Sequence, residues 1–214
     1  RQRVALARAI AVRPRVLLLD EPLTALDAKL RHSLREEIDS LLKQLGITAV
    51  YVTHDQSEAM AIGDVVVVMK DGEIVQQGTP RDIYNNPAHL FVADFIGTVN
   101  MLTCQADKDS FVLPGGQSIP RSSVTSAAIP DTSEATLLFR PEAAEILSGG
   151  QGQMQGEILS AIFLGSRNRL TVRLADGTNC TLDTPGNREY QMGDSISFTV
   201  APEAFRLMPE VDEC

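Results

Sequence analysis

The sequence predicts an α/β unit followed by an all-β barrel. In the first half of the chain, apolar runs typical of strands alternate with amphipathic helical periods, as in a parallel sheet with helices packed on it. Beyond Gly97 the helical periods give way to short alternating runs separated by glycine-containing turns, which is typical of a small closed barrel. We therefore expect two domains, residues 1–96 and residues 97–214.

The charge distribution argues against nucleic acid as a partner. The chain has a formal net charge of −9, and residues 97–214 hold 15 acidic side chains against 8 basic ones. Such a surface repels a phosphate backbone.

No apolar run in the sequence reaches the length of a membrane-spanning helix. Three widely spaced cysteines match no metal or disulfide pattern and are expected to be reduced thiols of a cytoplasmic protein: Cys104, Cys180 and Cys214.

Two carboxylates follow the first expected strand. Residues 1–12 form a helical pattern that Pro14 ends, and the apolar run at residues 16–19 is typical of a buried strand, with Asp20 and Glu21 directly after it. At the carboxyl end of a parallel strand, Asp20 could hold the water shell of Mg²⁺ on a nucleotide, and Glu21 could face an attacking water. The alternative is that Asp20 caps a helix and Glu21 is a solvated loop acid.

A histidine follows the next expected strand. The apolar run at residues 48–52 ends in Thr53-His54-Asp55. Because parallel strands of one sheet deliver the residues after them to the same edge, His54 is expected close to Asp20 and Glu21. An imidazole there can donate a hydrogen bond to a phosphate oxygen, which suits a sensor of the γ-phosphate.

Asp27 and Gly46 are expected to bound the helix between these two strands. Residues 28–45 carry leucines and an isoleucine at helical spacing on one face. Gly46 suits the left-handed conformation that ends many helices. Asp27 has the chemistry of an N-cap, and a functional interpretation adds a contact from this carboxylate across a dimer interface.

Turn signals divide the remainder of the first half. Asp55, with Glu58 three residues on, has the spacing of a capping box for a short helix that ends at Gly63. Asp71-Gly72 lies between two strand-like runs and predicts a hairpin. Two further helices are expected to open at prolines that follow a turn residue, at Thr79-Pro80 and at Asn86-Pro87.

Four segments, in this order and spacing, resemble the second half of an ATP-binding-cassette (ABC) ATPase. The resemblance implies part of the RecA-like sheet of a P-loop NTPase, with ATP and Mg²⁺ as cofactors. The segments are Arg1-Gln2-Arg3-Val4-Ala5-Leu6-Ala7-Arg8-Ala9, Leu17-Leu18-Leu19-Asp20-Glu21-Pro22, Ala25-Leu26-Asp27 and Val52-Thr53-His54-Asp55.

The resemblance implies a role for individual residues. Asp20 resembles the Walker B aspartate, which holds Mg²⁺ through water, and Glu21 resembles the general base that polarises the hydrolytic water. His54 resembles the switch histidine on the γ-phosphate. Ala25-Leu26-Asp27 resembles the loop that meets the partner subunit, and Arg1-Gln2-Arg3 resembles the first turn after the signature peptide of the family.

Several parts of the family pattern do not occur in the sequence. The 214 residues contain no Gly-x-x-x-x-Gly-Lys-Ser/Thr stretch, so the backbone cradle and the lysine for the phosphates are missing. The signature peptide, the glutamine loop and the aromatic residue that stacks on adenine are missing too. We therefore expect the sequence to be a piece of a longer chain, and we expect this piece alone not to hydrolyse ATP.

The second half has its own turn signals and strand-like runs. Asp176-Gly177 lies between two alternating runs and predicts a second hairpin. Further strands are expected at residues 135–139, 157–163 and 195–200. Four segments follow one another in this half: Phe139-Arg140-Pro141-Glu142, Phe163-Leu164-Gly165-Ser166, Asp176-Gly177 and Gly193-Asp194. Their order resembles that of the TOBE domain, an OB-like barrel appended to importer ATPases.

The barrel also raises the question of a bound effector. Arg140, Arg167 and Arg169 could bind an anion; the plainer interpretation is that they are surface arginines paired with Glu142 or Glu145. Two aromatic residues of the same region are expected in the barrel core rather than on a platform that stacks a ligand, namely Phe139 and Phe163.

The resemblance as a whole implies the ATP-hydrolysing subunit of a bacterial ABC importer, peripheral at the cytoplasmic face of the cell membrane. Its partners would be a second copy, the transmembrane permease subunits and, indirectly, a periplasmic or lipid-anchored substrate-binding protein, but no nucleic acid. One alternative is an effector-binding regulatory module with a non-functional ATPase half. Another is an ATPase of the DNA-repair type, although the β-rich acidic second half argues against it.

Overall fold

A computed structural model describes residues 2–24, 27–124, 133–147, 150 and 152–208. Two units make up the chain, Arg1–Pro87 and Ala88–Cys214. The division into domains at residues 1–96 and 97–214 stays a prediction. None of the helices in the described ranges is long and apolar enough to cross a membrane.

The first unit contains a parallel strand pair with helices. In chain order its elements are α1 (Gln2–Ala11), β1 (Val16–Asp20), α2 (Ala28–Leu45), β2 (Thr48–Val52), α3 (Gln56–Ile62), β3 (Val66–Lys70), β4 (Glu73–Gly78) and α4 (Pro80–Asn85). β1 and β2 pair in parallel, from Val16 opposite Thr48 to Asp20 opposite Val52. β3 and β4 form a separate antiparallel pair. This parallel pairing is the arrangement expected of an α/β unit, and the RecA-like sheet stays a prediction.

The strand β1 is buried on one face only, whereas its continuous apolar run predicts a buried strand. Leu17 and Leu19 pack against Leu34, Ile38 and Leu42 of α2 in one apolar cluster. The intervening Leu18 is 74% exposed, because the alternation of a strand turns it to the opposite face.

Local turn chemistry produces the predicted ends of several elements. Asp27 is the N-cap of α2, and Gly46 ends it with a φ of 63°. Asp71 and Gly72 both have positive φ, 52° and 87°, between the paired Lys70 and Glu73. Positive φ at both central residues defines the type I′ hairpin turn.

The helix expected to open at Asn86-Pro87 begins later. Its first residue is Leu90, the N-cap is His89, and this helix, α5, spans Leu90–Ile96. Asn86 instead ends the preceding helix α4, where its N–H donates to the carbonyl of Asp82. The residues between the two helices are therefore a connection.

The second unit is built mainly of antiparallel strands. They are β5 (Asn100–Ala106), β6 (Ser110–Val112), β7 (Ser118–Pro120), β8 (Glu134–Phe139), β9 (Ala144–Leu147), β10 (Met154–Phe163), β11 (Arg167–Leu174), β12 (Asn179–Pro185), β13 (Ser195–Val200) and β14 (Arg206–Met208). They form two five-stranded sheets, in the orders β12-β11-β10-β13-β9 and β14-β8-β5-β6-β7. One apolar core fills the space between the sheets, so the unit is mostly β and barrel-like.

The second predicted hairpin joins β11 to β12 through a three-residue loop. The N–H of Leu174 donates to the carbonyl of Thr178 at 2.8 Å, which closes the loop Ala175-Asp176-Gly177. Gly177 has a φ of 90°, and the side chain of Asp176 accepts from the N–H of Thr178. The loop is one residue longer than the dipeptide alone suggests, and glycine takes its left-handed position.

The two aromatic residues expected in the barrel core differ. Phe139 is 1% exposed and packs edge to face on Phe205, with ring centroids 5.8 Å apart. Phe163 is 67% exposed, so its assignment to the core is wrong. β13 pairs with β10 only from Met154 to Glu157, and the end of β10 extends past the region where the two sheets enclose the core.

We expect Phe139→Ala to lower the free energy of unfolding of the second unit by about 3–5 kcal/mol, since the change leaves a cavity in the core. The matched change Phe163→Ala should alter it by less than about 0.5 kcal/mol. Urea unfolding followed by circular dichroism measures both. Equal losses in the two variants would contradict the packing described here.

Candidate active site

The candidate site lies at the carboxyl ends of the parallel strands β1 and β2. Asp20 is the last residue of β1 and pairs with Val52, the last residue of β2. The N–H of Glu21 then donates to the carbonyl of Val52 at 2.9 Å, which extends the pairing by one bond. Because both strands end at the same height, the residues that follow them lie at one edge, as the sequence predicts.

Glu21 and His54 are in direct contact at this edge. Oε1 of Glu21 lies 3.0 Å from Nδ1 of His54. The hydroxyl of Thr24 donates to Oε2 of Glu21 at 3.2 Å, so both carboxylate oxygens have a partner. The two residues predicted to act on the nucleotide, 33 positions apart in the chain, are thus brought together.

The backbone of Glu21 is held in an unfavourable conformation. Its φ is 43°, in the left-handed region that residues with a Cβ rarely adopt. Such a conformation costs about 1–3 kcal/mol and persists where the surrounding structure fixes it. Here the bond to Val52 fixes the N–H, and the bonds from Thr24 fix both the carbonyl and the side chain.

The contact shifts the pKa of both groups. The hydrogen bond with His54, followed by that from Thr24, holds the pKa of Glu21 below its ordinary value. The hydrogen bond and the charge of Glu21 raise the pKa of His54 above its ordinary value. Both side chains are exposed, so solvent screens their attraction.

This pairing determines which hydrogen bonds the imidazole can make. A carboxylate accepts only, so the proton between the two groups is on Nδ1 of His54. A neutral ring then has Nε2 as an acceptor, whereas an imidazolium has Nε2–H as a second donor. The raised pKa of His54 favours the imidazolium, which can donate to an anionic oxygen.

Asp20 is exposed at the edge, next to Glu21 in the chain. A carboxylate oxygen is a suitable ligand for Mg²⁺, an ion that keeps several waters and is held by one or two carboxylates together with substrate phosphates. In the described ranges there is no group of three or more His, Cys, Asp or Glu side chains that could enclose a metal ion. A single exposed carboxylate such as Asp20 can contact an ion of this kind through its water shell.

Asp27 acts as a helix cap in this structure. Its Oδ1 accepts from the N–H of Leu30 at 3.0 Å. The cap satisfies one of the free N–H groups at the start of α2. Ala25 and Leu26, which precede it in the same loop, lie outside the described residues, as does Arg1. The contact of Asp27 across a dimer interface therefore stays a prediction.

The turn that carries His54 is fixed by side chains on both sides. Thr53 and Asp55 flank His54, and the N–H of Asp55 donates to the hydroxyl of Thr53 at 3.0 Å. The carboxylate of Asp55 accepts from the N–H groups of Ser57 and Glu58, which caps α3 as expected. It also accepts from Nη1 of Arg31 at 3.3 Å.

Glu58 has a role that the sequence analysis missed. In a capping box its side chain would reach back to the N–H of Asp55, but Thr53 occupies that donor. Glu58 is 3% exposed, and its Oε2 accepts from the hydroxyls of Tyr51, at 2.9 Å, and Thr53, at 3.0 Å. Burial and this hydrogen bond raise the pKa of the Tyr51 hydroxyl. The available signal was the alternation of β2, which places Tyr51 on the same side as Thr53, the residue that follows the strand.

The barrel arginines make structural contacts. Nε and Nη2 of Arg169 each donate to Asp183 at 2.8 Å, and Arg167 reaches the same carboxylate at 3.3 Å. Arg167 and Arg169 thus share the carboxylate of Asp183, an acid that the sequence analysis did not name. Arg140 donates to the carbonyls of residues 93, 97 and 98, at the end of α5.

We expect the Glu21→Gln change to lower the pKa of His54 towards its ordinary value of about 6.5. NMR titration of the imidazole in the 214-residue chain measures this, with Glu73→Gln as the control. A group with a raised folded pKa stabilises the fold below the unfolded pKa and loses that contribution as the pH rises through the folded pKa. The stabilisation from the Glu21–His54 contact should therefore be complete below about pH 6.5 and be lost as the pH rises through the raised pKa of His54. An unchanged His54 titration in Glu21→Gln would contradict the contact.

Known proteins resemble this chain over most of its length. Residues 137–208 match the model of the TOBE domain. The chain is 42% identical to a spermidine/putrescine import ATP-binding protein of Pseudomonas fluorescens, over 88% of this chain and 52% of that protein. It is 43% identical to an Fe(3+) ions import ATP-binding protein of Rhizobium etli, over 92% of this chain and 56% of that protein.

A solved structure of a cytoplasmic molybdate-binding protein also matches, with 15% identity and a TM-score of 0.40, over 52% of this chain and 96% of that chain. The chain spans little more than half the length of the import proteins it matches. Over most of its own length the chain is similar to import ATP-binding proteins, and its residues 137–208 match the model of the TOBE domain.

Proposed function

We propose that the protein of which this sequence forms part is the ATP-hydrolysing subunit of a bacterial ABC importer. The observation that carries the proposal is the 3.0 Å contact between Glu21 and His54 at the carboxyl edge of a parallel strand pair. Ligands of open α/β sheets bind at this edge. The homology with import ATP-binding proteins, over most of the chain, supports the same conclusion.

In this proposal Glu21 is the general base. Its lowered pKa keeps the side chain ionised at neutral pH, so that it can accept a hydrogen bond from a water molecule. The bond from Thr24 and the contact with His54 fix the direction of the carboxylate. A fixed carboxylate orients the water for attack on the terminal phosphate. It takes up the proton of that water as the new bond to phosphorus forms and the bond to the oxygen of the departing ADP breaks.

His54 is proposed to contact the γ-phosphate. With Nδ1–H directed to Glu21, an imidazolium offers Nε2–H to a phosphate oxygen. Loss of the γ-phosphate removes this contact, so the imidazole distinguishes ATP from ADP. A difference in binding of this kind lets hydrolysis shift a conformational equilibrium.

Asp20 is proposed to hold Mg²⁺ through water. The ion would neutralise charge on the phosphates of ATP when both are bound. The position of Asp20, exposed and next to Glu21, fits that role. Two consecutive residues would then supply the contact to the metal and the general base.

The remaining partners follow from the type of protein. Two copies would enclose ATP, with Asp27 at the interface between them, and the pair would act on transmembrane permease subunits at the cytoplasmic face of the cell membrane. A periplasmic or lipid-anchored substrate-binding protein would deliver the cargo to the permease. The barrel would be a regulatory domain, and no nucleic acid would take part.

We expect Glu21→Gln in the complete subunit to lower kcat by about 10²–10⁴-fold, because an amide keeps the shape of the side chain but cannot take a proton. ATP binding should survive. Phosphate release and equilibrium nucleotide binding measure the two effects, and Glu73→Gln is the control for an acid-to-amide change in the same unit. A Glu21→Gln subunit that turns over ATP at a near-normal rate would refute the role of Glu21.

The 214-residue chain by itself should show no measurable ATP hydrolysis, because no phosphate-binding loop occurs in its sequence. Phosphate release by the purified chain tests this, with the Glu21→Gln form of the same chain as the measure of contaminating activity. Hydrolysis above that background would show that the missing loop is not required.

A further inference from the structure

A buried carboxylate lies directly beneath the turn that carries His54. Glu58 is 3% exposed although it stands in the first turn of α3. A charged group loses its hydration on burial and is tolerated only when protein hydrogen bonds replace the water. Two hydroxyls supply those bonds to a single oxygen of Glu58, one from Tyr51 and one from Thr53.

The two hydroxyls connect Glu58 to different parts of the structure. Thr53 also accepts the N–H of Asp55, so its hydroxyl links the buried carboxylate to both neighbours of His54. Tyr51 lies within β2, and its hydroxyl bonds to Glu58 without reaching the turn. The turn therefore depends on Thr53, whereas Tyr51 only helps to satisfy the buried charge.

We propose that Glu58 is a positioning residue for His54, acting through Thr53 to hold the turn at the height where the imidazole meets Glu21. The side chain of His54 is itself exposed, so packing does not hold it in place. A turn bonded on both sides fixes the backbone of His54 before ATP arrives, which leaves only the side-chain freedom to be lost. The expected effect on hydrolysis rests on the function proposed above, whereas the effect on the His54–Glu21 contact does not.

Four substitutions separate positioning from simple stabilisation. Glu58→Leu and Thr53→Val remove the bond that reaches the turn. Glu58→Gln keeps an oxygen that can accept both hydroxyls. Tyr51→Phe removes a bond to the same oxygen of Glu58 but leaves the turn bonded, so it is the matched control for lost stability.

The first measurement is the NMR signal of the His54 imidazole nitrogens in the 214-residue chain at fixed pH, with Glu21→Ala as the reference for a lost contact. We expect Glu58→Leu and Thr53→Val to move the signal towards that reference. Glu58→Gln and Tyr51→Phe should leave it near wild type, even where Tyr51→Phe lowers the melting temperature. If Glu58→Leu fails to fold, Thr53→Val carries the test. A folded Thr53→Val chain with an unchanged His54 signal would overturn the proposal.

The second measurement is ATP hydrolysis by the complete subunit. Glu58→Leu and Thr53→Val should lower kcat about tenfold or more with KM changed less than about twofold, as expected when a group acts mainly in the transition state. Glu58→Gln and Tyr51→Phe should retain most of kcat. A shifted His54 signal with unchanged hydrolysis would uphold the positioning by Glu58 and refute the catalytic role proposed for His54.

Discussion

The parallel pairing of β1 with β2 is the constraint on which the candidate site depends. The register sets Asp20 opposite Val52, and the N–H of Glu21 closes the ladder on the carbonyl of Val52. Both strands end at that height, so a carboxylate and an imidazole from distant parts of the sequence come within 3.0 Å of each other. A slip of one residue would turn every side chain of a strand to the other face and separate the pair.

The same pairing separates the apolar contacts of β1 from the polar contacts at the edge. One face of β1 supplies the apolar contacts with α2, through Leu17 and Leu19. The edge is left to polar groups, and these are connected: Thr24 holds Glu21, and Thr53 joins Glu58 to Asp55. Polar networks of this kind are stable because each buried group has a partner. Hydrogen bonds therefore position the side chains at the edge, and apolar packing against α2 holds the strand that carries them.

Local signals in the sequence accounted for much of this arrangement. The cap at Asp27, the left-handed Gly46 and the turn at Asp71-Gly72 depend on a few adjacent residues, so they could be predicted. Glu21 and His54 could be placed together because parallel strands share an edge. Features that depend on tertiary contacts could not be predicted in this way. Alternation marks Phe163 as a strand residue but does not show that the end of β10 extends beyond the core. In the same way, the capping-box spacing at Glu58 does not show that Thr53 already takes the N–H of Asp55.

The hairpin of β11 and β12 limits how this barrel can vary between relatives. Its strands pair symmetrically about Asp176, which sets Arg169 opposite Asp183 and Leu170 opposite Leu182. Inward apolar and outward polar residues alternate along both strands. With this three-residue turn kept, a shift of β12 by one residue would exchange its two faces. A change of one residue in the loop therefore keeps the pairing only if the loop adopts another turn type or a bulge absorbs the change.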